Sequence, residues 1–410
     1  MSNRTLLNKA IVKIQAILGL AFVLFSNSAC VRKDLFLRVD QTQIAVEIYD
    51  INLDLLWGID WETQWQYDWD TSLETYGYMG YTKPELIKGT IYNLDEYTGK
   101  RYSSFVKIFD SNGGRVSLTS GSTYDMMFYN FGTEWTSFYQ SDDYETYTAT
   151  TRMSSQSSWI RTRSESEDSE MPDTTKSYND YNQPDELFGT LKTDIYIDED
   201  PSNYEKEYDE DGNITYIYKI DATLRPYSFI YLFQIIVTNN VDENGDIVKG
   251  ARGITTTGLS QGVEMFSRKT FNNTISITTD DVKPMQRHYN VKLEDDAVAD
   301  SADIMAVRIL TWGLPGMNPL EATKAATKAP EIDRNFIGIG FTLRNNYTYS
   351  ITREITEQMH QHPTGGIITI YFDASEIPDD IKNKKAQSSG GGFNAEVQNW
   401  SNEVNAEVTI

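Results

Sequence analysis

Trp57, Trp61, Trp65 and Trp69 recur every four residues. That spacing keeps four indoles on one face of a short helix or a long strand. Exposed, they could stack on the apolar faces of sugar rings, with the intervening Asp and Glu taking the hydroxyls. Buried, they would pack over a sheet edge. Burial is the simpler reading, because aromatic side chains dominate core packing. The histidines offer less. His360 and His362 lie two apart at what reads as a helix end, so they point to different faces, and no cysteine is available to complete a zinc set with them or with His288. Asp209-Glu210-Asp211-Gly212-Asn213 and Asp242-Glu243-Asn244-Gly245-Asp246 have the density of Asp and Gly found in calcium loops. A complete loop of that kind needs a bidentate Glu at its twelfth position. Counted from Asp209 and Asp242, those positions hold Ile220 and Gly253. Both segments therefore read as hairpin turns. No Ser/His/Asp order can be placed, and 60 acidic residues conceal any carboxylate pair suited to glycoside cleavage. The reading is a protein that is not an enzyme, with no cofactor and no metal.

Cys30 is the single cysteine, so no disulfide forms within the chain. Its surroundings give it another chemistry. Arg4, Lys9 and Lys13 precede a mostly apolar run from Ile14 to Phe25, broken by Gln15 and Gly19. A run of about a dozen residues suits a signal h-region and falls short of the ~20 that cross a bilayer. Ser26, Ser28 and Ala29 then lead to Cys30. Small residues before a cysteine resemble the lipobox of bacterial lipoproteins, although Asn27 stands where that motif usually has leucine. The resemblance implies a signal peptide over 1–29 and a thioether-linked lipid on Cys30. Further acylation of the new amino terminus would supply the several chains that stable anchoring needs. Val31-Arg32-Lys33-Asp34 resembles the surface-export signals of Bacteroidetes lipoproteins. The expected location is thus the outer membrane, lipid-anchored, facing the cell exterior.

Charge narrows the partners. The chain carries −24, and removal of the three positive charges of the leader takes it to about −27. Phosphate backbones attract basic proteins, so nucleic acid is not an expected partner. Anionic lipid is repelled as well, which leaves the lipid on Cys30 as the membrane contact.

The remaining 380 or so residues suggest two domains. Tyrosine contributes 26 residues and aromatics 12% of the chain, which favours half-buried pleated surfaces. Ile44, Val46 and Ile48 alternate with Ala45, Glu47 and Tyr49. Val106 and Ile108 share one face of the next strand, opposite Phe105 and Phe109. Asn112-Gly113-Gly114 and Ser120-Gly121-Ser122 break the pattern as turns do. Residues 140–183 are rich in Ser, Thr, Asp, Glu and Tyr and read as an exposed or disordered insertion. Further strands are expected over 227–237, 274–277, 304–312, 336–343 and 366–372. Ile351, Ile355 and Met359 suggest one helix over 351–361, ended by Pro363. Residues 321–329 read as a loop or short helix, 382–392 as a linker, and 393–410 as a terminal hairpin. Short strands, many turns and little helix predict an all-β protein of two β-sandwich domains, 30–220 and 221–410.

Gly121-Ser122-Thr123-Tyr124-Asp125-Met126-Met127-Phe128-Tyr129-Asn130 resembles a Gly-x-Tyr, apolar strand, Asn element of Bacteroidetes fimbrillin-like lipoproteins. Gln183-Pro184-Asp185-Glu186-Leu187-Phe188 is similar to a strand opening in the same proteins. Pro226-Tyr227, Gly258-Leu259-Ser260, Thr311-Trp312-Gly313-Leu314, and Gly392-Phe393 with Trp400 resemble their second domain. The resemblance implies two tandem transthyretin-like β-sandwiches and a role as fimbrial anchor, tip or accessory subunit, or adhesin. It also implies fimbrial subunits as partners through strand addition at a sheet edge, with a host or glycan ligand for an adhesin. The terminal hairpin could take part in that exchange or close its own domain. The rival reading is a glycan-binding surface lipoprotein that uses Trp57, Trp61, Trp65 and Trp69.

Overall fold

The computed structural model describes residues 43–49, 80–110, 113–139, 144–160, 179–293, 297–318 and 334–383. Cys30, Trp57, Trp61, Trp65, Trp69, residues 321–329 and the hairpin expected over 393–410 lie outside them. Along the first half run β1 (Gln43–Tyr49), β2 (Leu86–Leu94), β3 (Arg101–Asp110), β4 (Gly113–Thr119), β5 (Ser122–Asn130), β6 (Thr136–Tyr139), β7 (Thr148–Thr151), β8 (Asp180–Tyr181), β9 (Phe188–Ile197), β10 (Glu205–Tyr208) and β11 (Ile214–Asp221). There follow β12 (Arg225–Pro226), β13 (Phe229–Thr238), β14 (Val241–Asp242), β15 (Gly245–Asp246), β16 (Val248–Ser260), β17 (Gly262–Glu264), β18 (Thr274–Thr279) and β19 (Gln286–Lys292). The last strands are β20 (Val298–Thr311), β21 (Phe336–Leu343), β22 (Thr348–Glu354) and β23 (Gly366–Asp373), with short helices α1 (Thr356–Gln361) and α2 (Asp379–Lys382). The fold is all-β with little helix, as the strand patterns predict.

The described residues form two compact units. The first holds 43–49, 83–131 and 188–225. Its sheet runs β10-β11-β1-β4-β3-β2-β5-β9-β12, with β1 parallel to β11 and antiparallel to β4. Gly89 on β2 shows how one residue shapes the packing. A Cβ there would stand 2.6 Å from the Phe109 ring and 3.0 Å from Phe128. Its lack of a side chain lets these rings, from the strands on either side, meet edge to face at 5.9 Å. The turns fall where the glycines place them. Gly121 has φ +70 between β4 and β5, and Gly212 has φ +81 between β10 and β11. Asp209 accepts from the Asp211 and Asn213 main-chain N–H groups and from Asn213 Nδ2. Asp242 accepts from Asn244 N and pairs with Arg344. Both acids serve their own turns, as the hairpin reading requires.

The second unit is a sandwich. One sheet runs β19-β20-β13-β23 and the other β22-β21-β16-β18-β8. Tyr231, Phe233, Ile235 and Val237 of β13, with Ile368, Ile370 and Phe372 of β23, face Ile254, Ile277, Ile337, Ile339, Phe341 and Ile351 of the other sheet in one continuous core. β13 lies between β20 and β23 and is buried on both faces, which accounts for its unbroken apolar sequence. β19 lies at a sheet edge and carries Arg287, His288 and Asn290 among its residues, a polar edge that discourages unwanted pairing.

Two expectations are corrected. Residues 351–361 are not one helix. Thr348–Glu354 is β22, paired along its length with β21, and helix covers Thr356–Gln361 alone. Ile351, Ile355 and Met359 are all buried, as their spacing of four predicts, but they reach the core from a strand, a corner and a helix. Cross-strand pairing with β21 overrides the local periodicity. Within the insertion expected at 140–183 in the first domain, residues 144–160 and 179–183 are described, and their strands join the second unit. β7 pairs with β17, and β8 runs parallel to β18. Residues 154–160 then lie against the outer face of β16 and β21. Trp159 N donates to Thr255 Oγ1 at 2.8 Å, and its indole rests on Gly340 and Gly253, where a Cβ would come within 2.5 and 2.7 Å of it. These glycines make a flat seat for the ring.

Candidate functional site

Among the described residues β23 ends the four-stranded sheet, and no described strand pairs with the other side of its backbone. It runs parallel to β13, in register from Tyr231↔Gly366 to Thr238↔Asp373. Its inward residues Ile368, Ile370 and Phe372 fix it to the core. On the open side α1 supplies a substitute partner. Gln358 Nε2 donates to Thr369 O at 2.9 Å, and Thr369 N donates to Gln358 Oε1 at 2.8 Å. One primary amide thus makes both hydrogen bonds that a neighbouring strand would make at that residue. Main-chain groups alternate in direction along a strand, so Ile367 and Tyr371 turn their N–H and C=O to the same side as Thr369.

The helix is placed for this task. Ile355 N donates to Asn335 O, and Asn335 N donates to Thr356 Oγ1, which ties the start of α1 to β21. Met359 is fully buried and anchors the helix one residue beyond Gln358. A groove of about 580 Å³ follows the edge, lined by Arg353, Glu354, Glu357, Gln361 and Tyr371 together with Gln358 and Thr369. Its charges are largely paired. Arg353 meets Glu376 at 3.0 Å and Glu354 meets Arg334, while Gln361 Nε2 donates to Glu357 Oε1 at 3.3 Å. What the site can do chemically is accept an extended backbone, in exchange for one glutamine amide.

Two of the three histidines, His360 and His362, flank this region. His360 lies within α1 and His362 caps its C-terminus, where its carbonyl accepts from Tyr231 Oη at 2.7 Å. His288 is on β19. Among the described residues no group of three His, Cys, Asp or Glu side chains is arranged to hold a metal ion. Burial pulls all three imidazoles below their ordinary value of 6.5. The folded chain therefore resists protonation that the unfolded chain accepts. Stability from these groups is complete above about pH 6.5 and declines as pH falls below it. Asp242, Glu354 and Asp373 are shifted down from 3.8, 4.5 and 3.8, so they act at lower pH. The midpoint of thermal unfolding should fall between pH 7 and pH 5.5, and His360→Gln should make that fall shallower. An unchanged slope in the variant would show that His360 does not contribute.

Gln358 and Thr369 carry no sequence signal, since an amide laid against a strand edge has no motif. The residues that do stand out, Cys30 and the four tryptophans, lie outside the described residues.

No family model and no curated protein matches the chain. Solved structures do match. An adhesin candidate from Bacteroides ovatus is similar at 15% identity, with a TM-score of 0.41, over 85% of this chain and 98% of that one. A second adhesin candidate, from Bacteroides thetaiotaomicron, gives 8% identity and 0.38 over 80% and 91%. The fimbrial anchor protein Mfa2 from Porphyromonas gingivalis gives 8% and 0.34 over 80% and 90%.

Proposed function

We propose that this chain is a surface lipoprotein of the outer membrane, anchored through lipid on Cys30, that serves as a fimbrial anchor, tip or accessory subunit, or as an adhesin. Its partner contact is strand addition to the open edge of β23. The observation that carries this is the Gln358 amide standing in for a strand at Thr369. Natural sheet proteins protect open edges with charge, bulges or covering segments. Among the described residues the cover at Thr369 is a single side chain, with a groove beside it. An entering strand would recover both hydrogen bonds at Thr369 and extend the pairing along the edge. The leader pattern and the charge of −24 support an exported, soluble body held to the membrane by lipid.

Immunogold microscopy of intact cells, with antibody against the second unit, tests the role. Label along or at the ends of filaments is the expected result. Even label on bare membrane, with filaments unlabelled, would sink the subunit role. Label only after permeabilisation would sink the surface location.

A further inference from the structure

A second opening in the same unit shares no residue with the β23 edge. It is a cleft of about 440 Å³, within the range of small-ligand sites. Trp135, Gln156, Asn182, Gln183, Asp185 and Glu186 are among its walls. We propose that this cleft binds a neutral saccharide, with a sugar ring stacked on Trp135 and hydroxyls taken by Asn182 and Gln183.

Trp135 is 42% exposed, yet its backbone is firmly held. Glu134, Trp135 and Thr136 donate their N–H groups to the Asp185 carboxylate at 3.1, 2.9 and 2.7 Å. Asp185 N in turn donates to Thr136 Oγ1 at 2.9 Å. Asp185 is a positioning residue that presents the ring. With its main chain fixed in this way, the segment that carries the ring need not reorder on binding, which favours affinity.

The two amides are each tethered at one end. Asn182 Nδ2 donates to the carbonyls of Arg152 and Met153 at 3.4 and 3.2 Å. That commits its donors and leaves Oδ1 as an oriented acceptor. Gln183 does the opposite. Its Oε1 accepts from Leu310 N at 2.9 Å, which leaves Nε2 as an oriented donor. Adjacent residues therefore offer an acceptor and a donor beside an aromatic face. Vicinal hydroxyls on a pyranose ring need that combination, and the ring's C–H face needs the indole.

Charge selects against other ligands. Asp185 already receives three N–H groups. Glu186 accepts from Thr82 N at 2.7 Å and pairs with Arg308. Both acids are thus engaged within the protein, and among the described residues no basic side chain lines the cleft to hold an anion. What remains is neutral and hydroxyl-rich.

The test uses the full lipidated chain in detergent on an array of neutral, sialylated and sulfated oligosaccharides, followed by titration with the best neutral binder. Neutral glycans should bind, and Trp135→Ala and Gln183→Ala should each weaken the titrated affinity by about tenfold or more with unchanged unfolding midpoints. Trp135→Phe should retain part of the affinity. Binding to charged glycans alone, no binding on the array, or full affinity in both alanine variants would overturn the proposal. Filament labelling and pairing at β23 do not depend on these residues, so the two readings can fail separately.

Discussion

Asp303→Ala should cost the second unit about 3–5 kcal/mol, because it strips the acceptor from the centre of a buried polar network. Asp303 on β20 is 3% exposed and directly opposite Arg287 on β19. Arg287 donates Nε and Nη2 to its two oxygens at 2.9 and 2.7 Å, and Asn240 Nδ2 donates at 2.6 Å. Asn240 also exchanges hydrogen bonds with Val248 N and O, so the network ties β20 and β19 to the start of β16. Removing the carboxylate leaves the guanidinium one acid, Asp246, at a half-exposed position. Asn240 would then lack an acceptor for one donor. A loss of this size lowers the unfolding midpoint of a unit this large by roughly 10 °C. The double variant Arg287→Met with Asp303→Leu should recover much of the loss, since replacing both partners avoids a stranded charge. Urea unfolding of the three proteins decides it. An Asp303→Ala midpoint within error of the parent would mean the network contributes little.

Phe341→Ala should be as damaging, at about 3–5 kcal/mol. Phe341 on β21 is fully buried and stacks on Phe372 of β23, with ring centroids 4.7 Å apart and planes 18° apart. This stack joins the two sheets of the sandwich at the strand whose outer edge carries Gln358. Alanine would leave a ring-sized void that a close-packed core cannot fill. Phe341→Leu, which keeps most of the volume, should cost less than half as much. The effect should also reach the edge. With Phe372 loosened, the Thr369 amide should exchange with solvent faster in hydrogen-exchange measurements. Unchanged exchange at Thr369 would show that β23 is held without the stack.

How far the sequence discloses this molecule depends on how local the cause is. Phe336–Leu343 pairs with β16 on one side and β22 on the other, and its limits match the expected strand residue for residue. The apolar run of β13 is legible for the same reason. The helix over 351–361 is not, because a spacing of four suits a helix and also suits three residues that reach one core from different elements. β7 and β8 are short, and their partners β17 and β18 are about a hundred residues away in the chain. Nothing near them in sequence announces that pairing, so the segment reads as an insertion. The candidate sites follow the same rule. Trp135 is a single tryptophan among polar residues, less conspicuous than the run from Trp57 to Trp69, and its meaning comes from Asp185, Asn182 and Gln183 some 50 residues later. Gln358 becomes significant only beside Thr369.

The edge of β23 is where the proposed partner contact can be tested most directly. A photo-crosslinking amino acid placed at Gln361, which lines the groove, can be compared on intact, filament-bearing cells with one at the fully exposed Tyr97 of the first unit. Gln361 adducts should map to one extended segment of a fimbrial subunit or of a second copy of this chain. Gln358→Ala should raise their yield by freeing the Thr369 backbone. Adducts at Gln361 no more abundant than at Tyr97, and unchanged by Gln358→Ala, would contradict strand addition at this edge.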